Sequence, residues 1–442
     1  MSSLQRFRSR PMLVAGACGA VIVAASAADA ARAASLELSS GVPTFTVVDL
    51  GASGTSRGDV NVFESAVTPA GQLLGTQTTI GAARRALTVQ SALTFDLPEG
   101  QLAVAGVSQI DPKPIGLLTG RPFVRAVVGG SGRYAGMRGT VVSTRRPDGT
   151  YSQSFSLNAP AGSTRTLQVV STSGPGKQID VPIPGNSPGD VTIVDDAVLR
   201  DEQDAIIGTV RGVQQVVSTN GGRVVQAQLT YALPDGELLV GGVSRQVIDG
   251  TGLLVGTTFV RPVLGGTGAY AGAGGTMTTT FANGRYEQRF DLSGLGVKPT
   301  QTLRLIADNG AARTSHVEHD PVGVSAGDQN VYTGPLRDAR GKRRVGTARG
   351  VQTTVAVENG QQTVASQLTY VLRGRGTLVV GGLSRYPVAG TTGTIRGALP
   401  VRPVIGGTGD FAGAHGTVRT TRLRGGDYRL TFSLSGAPSR KR

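Results

Sequence analysis

One turn sequence occurs three times in this chain. It reads Gly-Gly-Ser-Gly-Arg-Tyr-Ala-Gly at 129–136, Gly-Gly-Thr-Gly-Ala-Tyr-Ala-Gly at 265–272 and Gly-Gly-Thr-Gly-Asp-Phe-Ala-Gly at 406–413. A self-similar period of this kind makes the chain an array of one repeated unit, so the fold question reduces to that unit. Each copy opens on a Gly-Asp pair (Gly58-Asp59, Gly189-Asp190, Gly327-Asp328) and closes on Tyr-x-x-x-Phe-x-Leu (Tyr151 to Leu157, Tyr286 to Leu292, Tyr428 to Leu434). The segments Thr166–Val170 and Thr302–Ile306 alternate polar and apolar residues and read as the first strand of the copy that follows; Leu36–Leu38 is the shorter equivalent in copy one. The copies are therefore placed at 36–157, 163–292 and 299–434, followed by a basic tail at 435–442.

Within a copy the pattern is that of strands. Leu93, Phe95 and Leu97 alternate with small or polar residues, Pro98-Glu-Gly100 turns the chain, and Leu102 and Val104 resume the period of two. No segment beyond the N-terminus sustains a helical period. Some eight short strands in roughly 100 to 130 residues fit an antiparallel barrel, which closes on itself and so leaves no edge unpaired. A barrel of that size has room inside for its own side chains or for one small ligand. The expected class is all-β, with three tandem eight-stranded antiparallel barrels.

At the N-terminus Arg6, Arg8 and Arg10 precede an apolar, Ala-rich run from Met12 to Ala28, and Ala28-Asp-Ala30 and Ala31-Arg-Ala33 follow. This is the layout of a secretory signal peptide, cleaved after Ala30 or Ala33, with an uncleaved anchor as the alternative. The expectation is a protein secreted or associated with the cell envelope, with residues 1–33 as its leader. Cys18, the single cysteine, lies inside that run, so the mature barrels are expected to fold without disulfides.

The net charge of +15 favours anionic neighbours such as cell-envelope polymers. The basic residues are dispersed and match no nucleic-acid-binding motif, so no nucleic-acid partner is expected. The glycine motif lacks the Lys-Ser/Thr ending of a phosphate loop and sits between strand-like runs, with no helix to direct a dipole at an anion. It reads as a tight reversal. His316, Glu318, His319 and Asp320 bunch in a loop of copy three and have no counterparts in the other copies, so neither a metal nor another cofactor is expected.

Val127 to Thr140, Val-Val-Gly-Gly-Ser-Gly-Arg-Tyr-Ala-Gly-Met-Arg-Gly-Thr, resembles the signature of dirigent proteins and the related allene oxide cyclase-like barrels, and Val263–Thr276 and Val404–Thr417 carry the same turn. The resemblance implies eight-stranded barrels with a hydrophobic cavity. It also implies a small phenolic or oxylipin-like ligand whose coupling or cyclisation is steered by orientation, with an oxidase as the source of radicals where coupling is involved. Members are usually trimers, so three tandem copies are expected to pack as a covalent pseudo-trimer. The alternative from a different class is a non-catalytic envelope scaffold built of three barrels.

Candidate ligand-binding residues follow from recurrence. Arg125, Arg261 and Arg402 stand four residues before the paired glycines in each copy. Facing the cavity, they would hold a phenolate, carboxylate or oxyanion; facing outward, they would be solvated or inter-domain side chains. Asp59, Asp190 and Asp328 are their natural partners to test, against a local role in a turn. Tyr134, Tyr270 and Phe411 in the motif are core or rim aromatics that could touch a ligand. Arg138 matches the family motif's arginine, but Gly274 and His415 replace it in copies two and three; it is a chemical group in one copy or a structural one.

Overall fold

The computed structural model describes residues 34–437 except 51, 84–85, 173–175, 182–184, 221, 247–254, 257, 320–322 and 389–399. The leader at 1–33 and the end of the basic tail lie outside the described residues.

Copy one runs β1 (Ala34–Ser40), β2 (Thr44–Val48), β3 (Val60–Thr68), β4 (Gln72–Ala83), β5 (Ala86–Leu97), β6 (Gly100–Pro112), β7 (Ile115–Leu117), β8 (Pro122–Gly130), β9 (Arg138–Arg145) and β10 (Tyr151–Asn158). The antiparallel order is β1-β10-β9-β8-β6-β5-β4-β3, and β1 closes the ring by pairing Ser39 and Ser40 with Thr68 and Val67 of β3. Eight strands thus form the barrel, while β2 is added outside β3 and β7 pairs with β6. Copy two closes through Ser163–Thr172, which pairs with both Arg285–Leu295 and Val191–Arg200; copy three closes through Gln301–Ala307 in the same way. The protein is therefore three closed eight-stranded antiparallel barrels. Each repeated glycine motif is a single 3-10 turn, Gly132–Tyr134 in copy one, where it links β8 and β9, and it joins the corresponding strands in the other two copies. Gly132 has φ +57°, and a Cβ there would lie 2.3 Å from the Glu99 carbonyl oxygen, which no side chain tolerates.

Alternation along each strand separates two kinds of burial. The inward face of β5 carries Leu87, Val89, Leu93, Phe95 and Leu97, and each barrel has its own apolar core. The same edge-to-face aromatic pair recurs in all three: Phe95–Phe155, Tyr231–Phe290 and Tyr370–Phe432, with centroids 5.0, 5.1 and 5.2 Å apart. The outward face is buried too, because barrels press on barrels. Thr94 donates to Gln226, Gln101 exchanges two bonds with the backbone of Val243, Gln228 donates to the Ser366 carbonyl and Thr369 donates to Gln90. Copies one and two, two and three, and three and one are all joined by such bonds. Around the shared axis Ala105, Val128, Leu239, Leu264, Val379 and Ile405 form an apolar cluster drawn from all three copies. A fully buried Leu, Ile or Val contributes about 1.5–3 kcal/mol.

The Gly-Asp openings are where the copies interlock. A Cβ on Gly58 would meet Val317 of copy three at 2.5 Å, one on Gly189 would meet Val48 of copy one at 2.6 Å, and one on Gly327 would meet Ile179 of copy two at 2.0 Å. All three glycines have φ near +110°, so conformation and close approach both exclude a side chain. The outer strand of each copy, Thr44–Val48, Gly176–Ile179 or Arg313–Val317, thus brings a branched side chain against the next copy's glycine in a closed cycle.

Candidate functional site

The repeated arginines face inward. Arg125 lies on β8 in phase with Val127, which belongs to the core of barrel one; Arg261 and Arg402 hold the same place before core residues Val263 and Val404. Their exposures are 3, 2 and 3%, and among the described residues no carboxylate pairs with any of them. Arg125 and Arg261 are held down to about 10 by burial, with only neighbouring tyrosines pulling the other way. The Nε of each arginine has no hydrogen-bond partner, nor does Nη1 of Arg402.

The surroundings differ from barrel to barrel. In barrel one a cavity of about 30 Å³, room for one or two waters, is lined by Phe45, Gln77, Leu117, Arg125, Ser143 and Tyr151 among others. In barrel two Arg261 donates to Ser244 Oγ and its guanidinium stands 4.6 Å from the Phe259 ring centroid. The buried Tyr231 beside it is pushed up to about 12. In barrel three Arg402 Nη2 donates to Thr420 Oγ1 at 3.3 Å and lies beside the buried phenol of Tyr370. Tyr332 is raised far above the usual phenol range by burial and by its neighbours Tyr370, Tyr428 and Tyr386.

The aspartates sit elsewhere. Asp59 accepts from Leu50 N, Ser56 N and Ser56 Oγ; Asp190 accepts from Val181 N, Ser187 N and Ser187 Oγ; Asp328 accepts from His319 N, Ser325 N and Ser325 Oγ. Each carboxylate therefore ties a ten-residue loop to its own start, next to the interlocking glycine. Tyr134, Tyr270 and Phe411 are buried in the three barrel cores, and Tyr134 Oη reaches Glu99 at 3.4 Å. His316 pairs with Asn330 and Glu318, while Asp320 lies outside the described residues. Asp195, Asp196 and Glu358 converge instead, around the guanidinium of Arg211.

Arg138 has a place that recurrence could not show. It is 5% exposed on the axis between the barrels. Nη1 donates to the carbonyls of Val128 (2.9 Å) and Ile405 (2.5 Å), and Nη2 to those of Leu264 (2.8 Å) and Ala273 (2.6 Å). Val128, Leu264 and Ile405 are the same position in copies one, two and three. One guanidinium thus ties all three copies, and a second or third would meet it charge to charge. Gly274, at the equivalent place in copy two, leaves the space: a Cβ there would be 3.1 Å from Gly136 Cα and 3.7 Å from Arg138 Nη2. In copy three the place belongs to His415, whose Nδ1 is 3.2 Å from the Gly413 carbonyl oxygen.

Burial, and then the Arg138 charge, push His415 down to about 4. Between its ordinary value and pH 4 the unfolded chain takes up a proton that the folded chain does not, so this residue makes acidification destabilising. Allowing for its partial exposure, the expected loss between pH 7 and pH 4 is about 2 kcal/mol. His415→Asn should remove that share of the pH dependence of the urea midpoint; identical pH profiles for variant and parent would refute the assignment.

No family model and no curated protein matches this chain. Among solved structures it is similar to a pyocyanin demethylase at 19% identity, with the whole of that chain aligned to 30% of this one at a TM-score of 0.24.

Proposed function

We propose that the barrels bind a small anionic or phenolic molecule, as the resemblance to dirigent and allene oxide cyclase-like proteins implies, and orient it for coupling or cyclisation. The supporting observation is the arginine that, among the described residues, is buried without a carboxylate partner in every copy. An uncompensated buried charge is costly, and retaining it three times makes sense if a ligand's anion completes the pair. Rate or stereochemical control would then come from holding the ligand against the guanidinium and the barrel wall, in surroundings that strengthen charge interactions. In barrel one a phenol-sized guest requires Phe45 and Leu117, which line the small cavity, to move outward.

A second reading, a non-catalytic scaffold at the cell envelope, is favoured by that cavity's size of about 30 Å³. Mass spectrometry of the purified protein, native and then denatured, separates the two. The expected result is a small acid or phenol released on unfolding, or taken up from a panel of such compounds at no more than one per barrel. Protein that carries none and takes up none would leave the scaffold.

A further inference from the structure

One outward-facing position is filled differently in each copy. Strand pairing matches Leu74, Arg211 and Arg349, each one step before the glycine that pairs with Leu93, Leu229 or Leu368. Leu74 lies in an apolar cluster drawn from all three copies. Arg211 is met by three carboxylates, Asp195 and Asp196 of its own copy and Glu358 of copy three. Arg349, at the seam between copies three and one, is met by other arginines.

Ala348 belongs to the core of barrel three and Tyr332 packs against it, so Arg349 and Thr333, one step along their strands, point outward. They face copy one, where Thr333 Oγ1 donates to the Ile80 carbonyl at 3.5 Å. Pairing across three strands puts Arg313, Thr333 and Arg349 in one row, with the backbones of the two arginines about 10 Å apart. Arg57 of copy one, next to the interlocking Gly58, reaches this row and donates from Nη2 to the carbonyls of Val331 (2.7 Å) and Arg313 (3.3 Å). Burial, and then the charges of Arg313 and Arg349, push Arg57 below its ordinary value. Burial, and then the charge of Arg344, do the same to Arg349. The Nε atoms of Arg57 and Arg349 have no hydrogen-bond partner. Among the described residues no carboxylate forms an ion pair with Arg57, Arg313, Arg344 or Arg349.

We propose that the seam between copies three and one binds a phosphate group, held by Arg57, Arg313 and Arg349, independently of any ligand inside the barrels. Arg313 and Arg344 are exposed at the mouth of the seam, and Arg57 and Arg349 are half-buried beneath them, so an anion can enter from solvent. The planar guanidinium fork matches pairs of phosphate oxygens, and a doubly charged tetrahedral group accepts from several directions at once. Copy two shows the same arginine satisfied from within the chain, since Asp195 and Asp196 stand opposite Arg211 where Thr333 stands opposite Arg349.

Calorimetric titration of the full chain, at constant ionic strength and a mildly alkaline pH where phosphate is mostly dianionic, compares inorganic phosphate, glycerol phosphate and acetate. Phosphate is expected to bind at least ~10-fold more tightly than acetate, as bonds from several guanidiniums to a dianion require. Equal affinity for glycerol phosphate would assign the site to the phosphate end of a larger molecule, and its rejection would assign it to the free ion. Thr333→Asp gives Arg349 the kind of partner that Arg211 has. It should raise the urea midpoint while weakening phosphate at least ~10-fold, a pairing of effects that a purely structural arginine would not produce. Arg349→Met should weaken phosphate as much, whereas the combined Arg125→Met, Arg261→Met and Arg402→Met variant should bind it as the parent does. The inference is overturned if the parent binds neither phosphate, if acetate binds as well as phosphate, or if affinity survives both Thr333→Asp and Arg349→Met. Loss of binding in the variant lacking the three barrel arginines would overturn it too, by moving the site into the barrels.

Discussion

Arg138→Met lowers the free energy of unfolding by about 3–5 kcal/mol, seen as a drop in urea midpoint and in Tm. The substitution keeps most of the side chain's volume, so packing around the axis is little changed. What it removes are four donors, and four backbone carbonyls from three copies are left in a place with almost no access to water. An orphaned buried acceptor costs about 1–3 kcal/mol, and the total is less than four separate penalties because relaxation and a bound water recover part of it. The loss of a buried cation, itself held down to about 10 by desolvation, offsets the figure further. Arg138→Lys should recover less than half, since a lysine ammonium has only three donors and none of the guanidinium's planar spread. A Met variant within 1 kcal/mol of the parent would show that the barrels hold together without this residue.

That role explains why one copy alone carries an arginine at this position. A fused chain can differ at that position among its copies, and this one has an arginine, a glycine and a histidine there.

The barrels were legible in the sequence because their determinants are local and recur: period-two alternation in β5 and β6, a turn that only glycines can make, and a closing Tyr-x-x-x-Phe-x-Leu run. The inward direction of Arg125 was readable only as one of two options, because alternation fixes that Arg125 shares a face with Val127 but not which face looks into the barrel. The function of the Gly-Asp pairs was hidden for another reason. Their glycines are explained by a side chain from a different copy, some 140 to 260 positions away, and no pattern within one copy contains that partner.

Arg125→Met is expected to act in opposite directions on stability and on binding. Among the described residues no carboxylate pairs with the buried guanidinium, and its fall to about 10 corresponds to about 3 kcal/mol of desolvation that the folded state carries. The variant should therefore be more stable than the parent by about 1–3 kcal/mol at neutral pH, within the range seen when buried charges give way to apolar residues of similar size. The sign of the pH dependence follows from the same fact. Below pH ~10 the folded arginine stays charged and the full cost is present; above it the folded state loses its proton before the unfolded chain does, so the cost shrinks as pH rises. The stability advantage of the variant should accordingly narrow above pH ~10, which urea titrations of parent and variant at pH 7 and pH 10.5 would reveal. Binding of an acid or phenol in barrel one should fall at least ~10-fold, because the charge-assisted bond is gone. A variant that is less stable than the parent at neutral pH would mean that Arg125 already has a compensating partner within the folded chain. Its burial would then need no ligand in barrel one, and the main support for these barrels as binding sites would be gone.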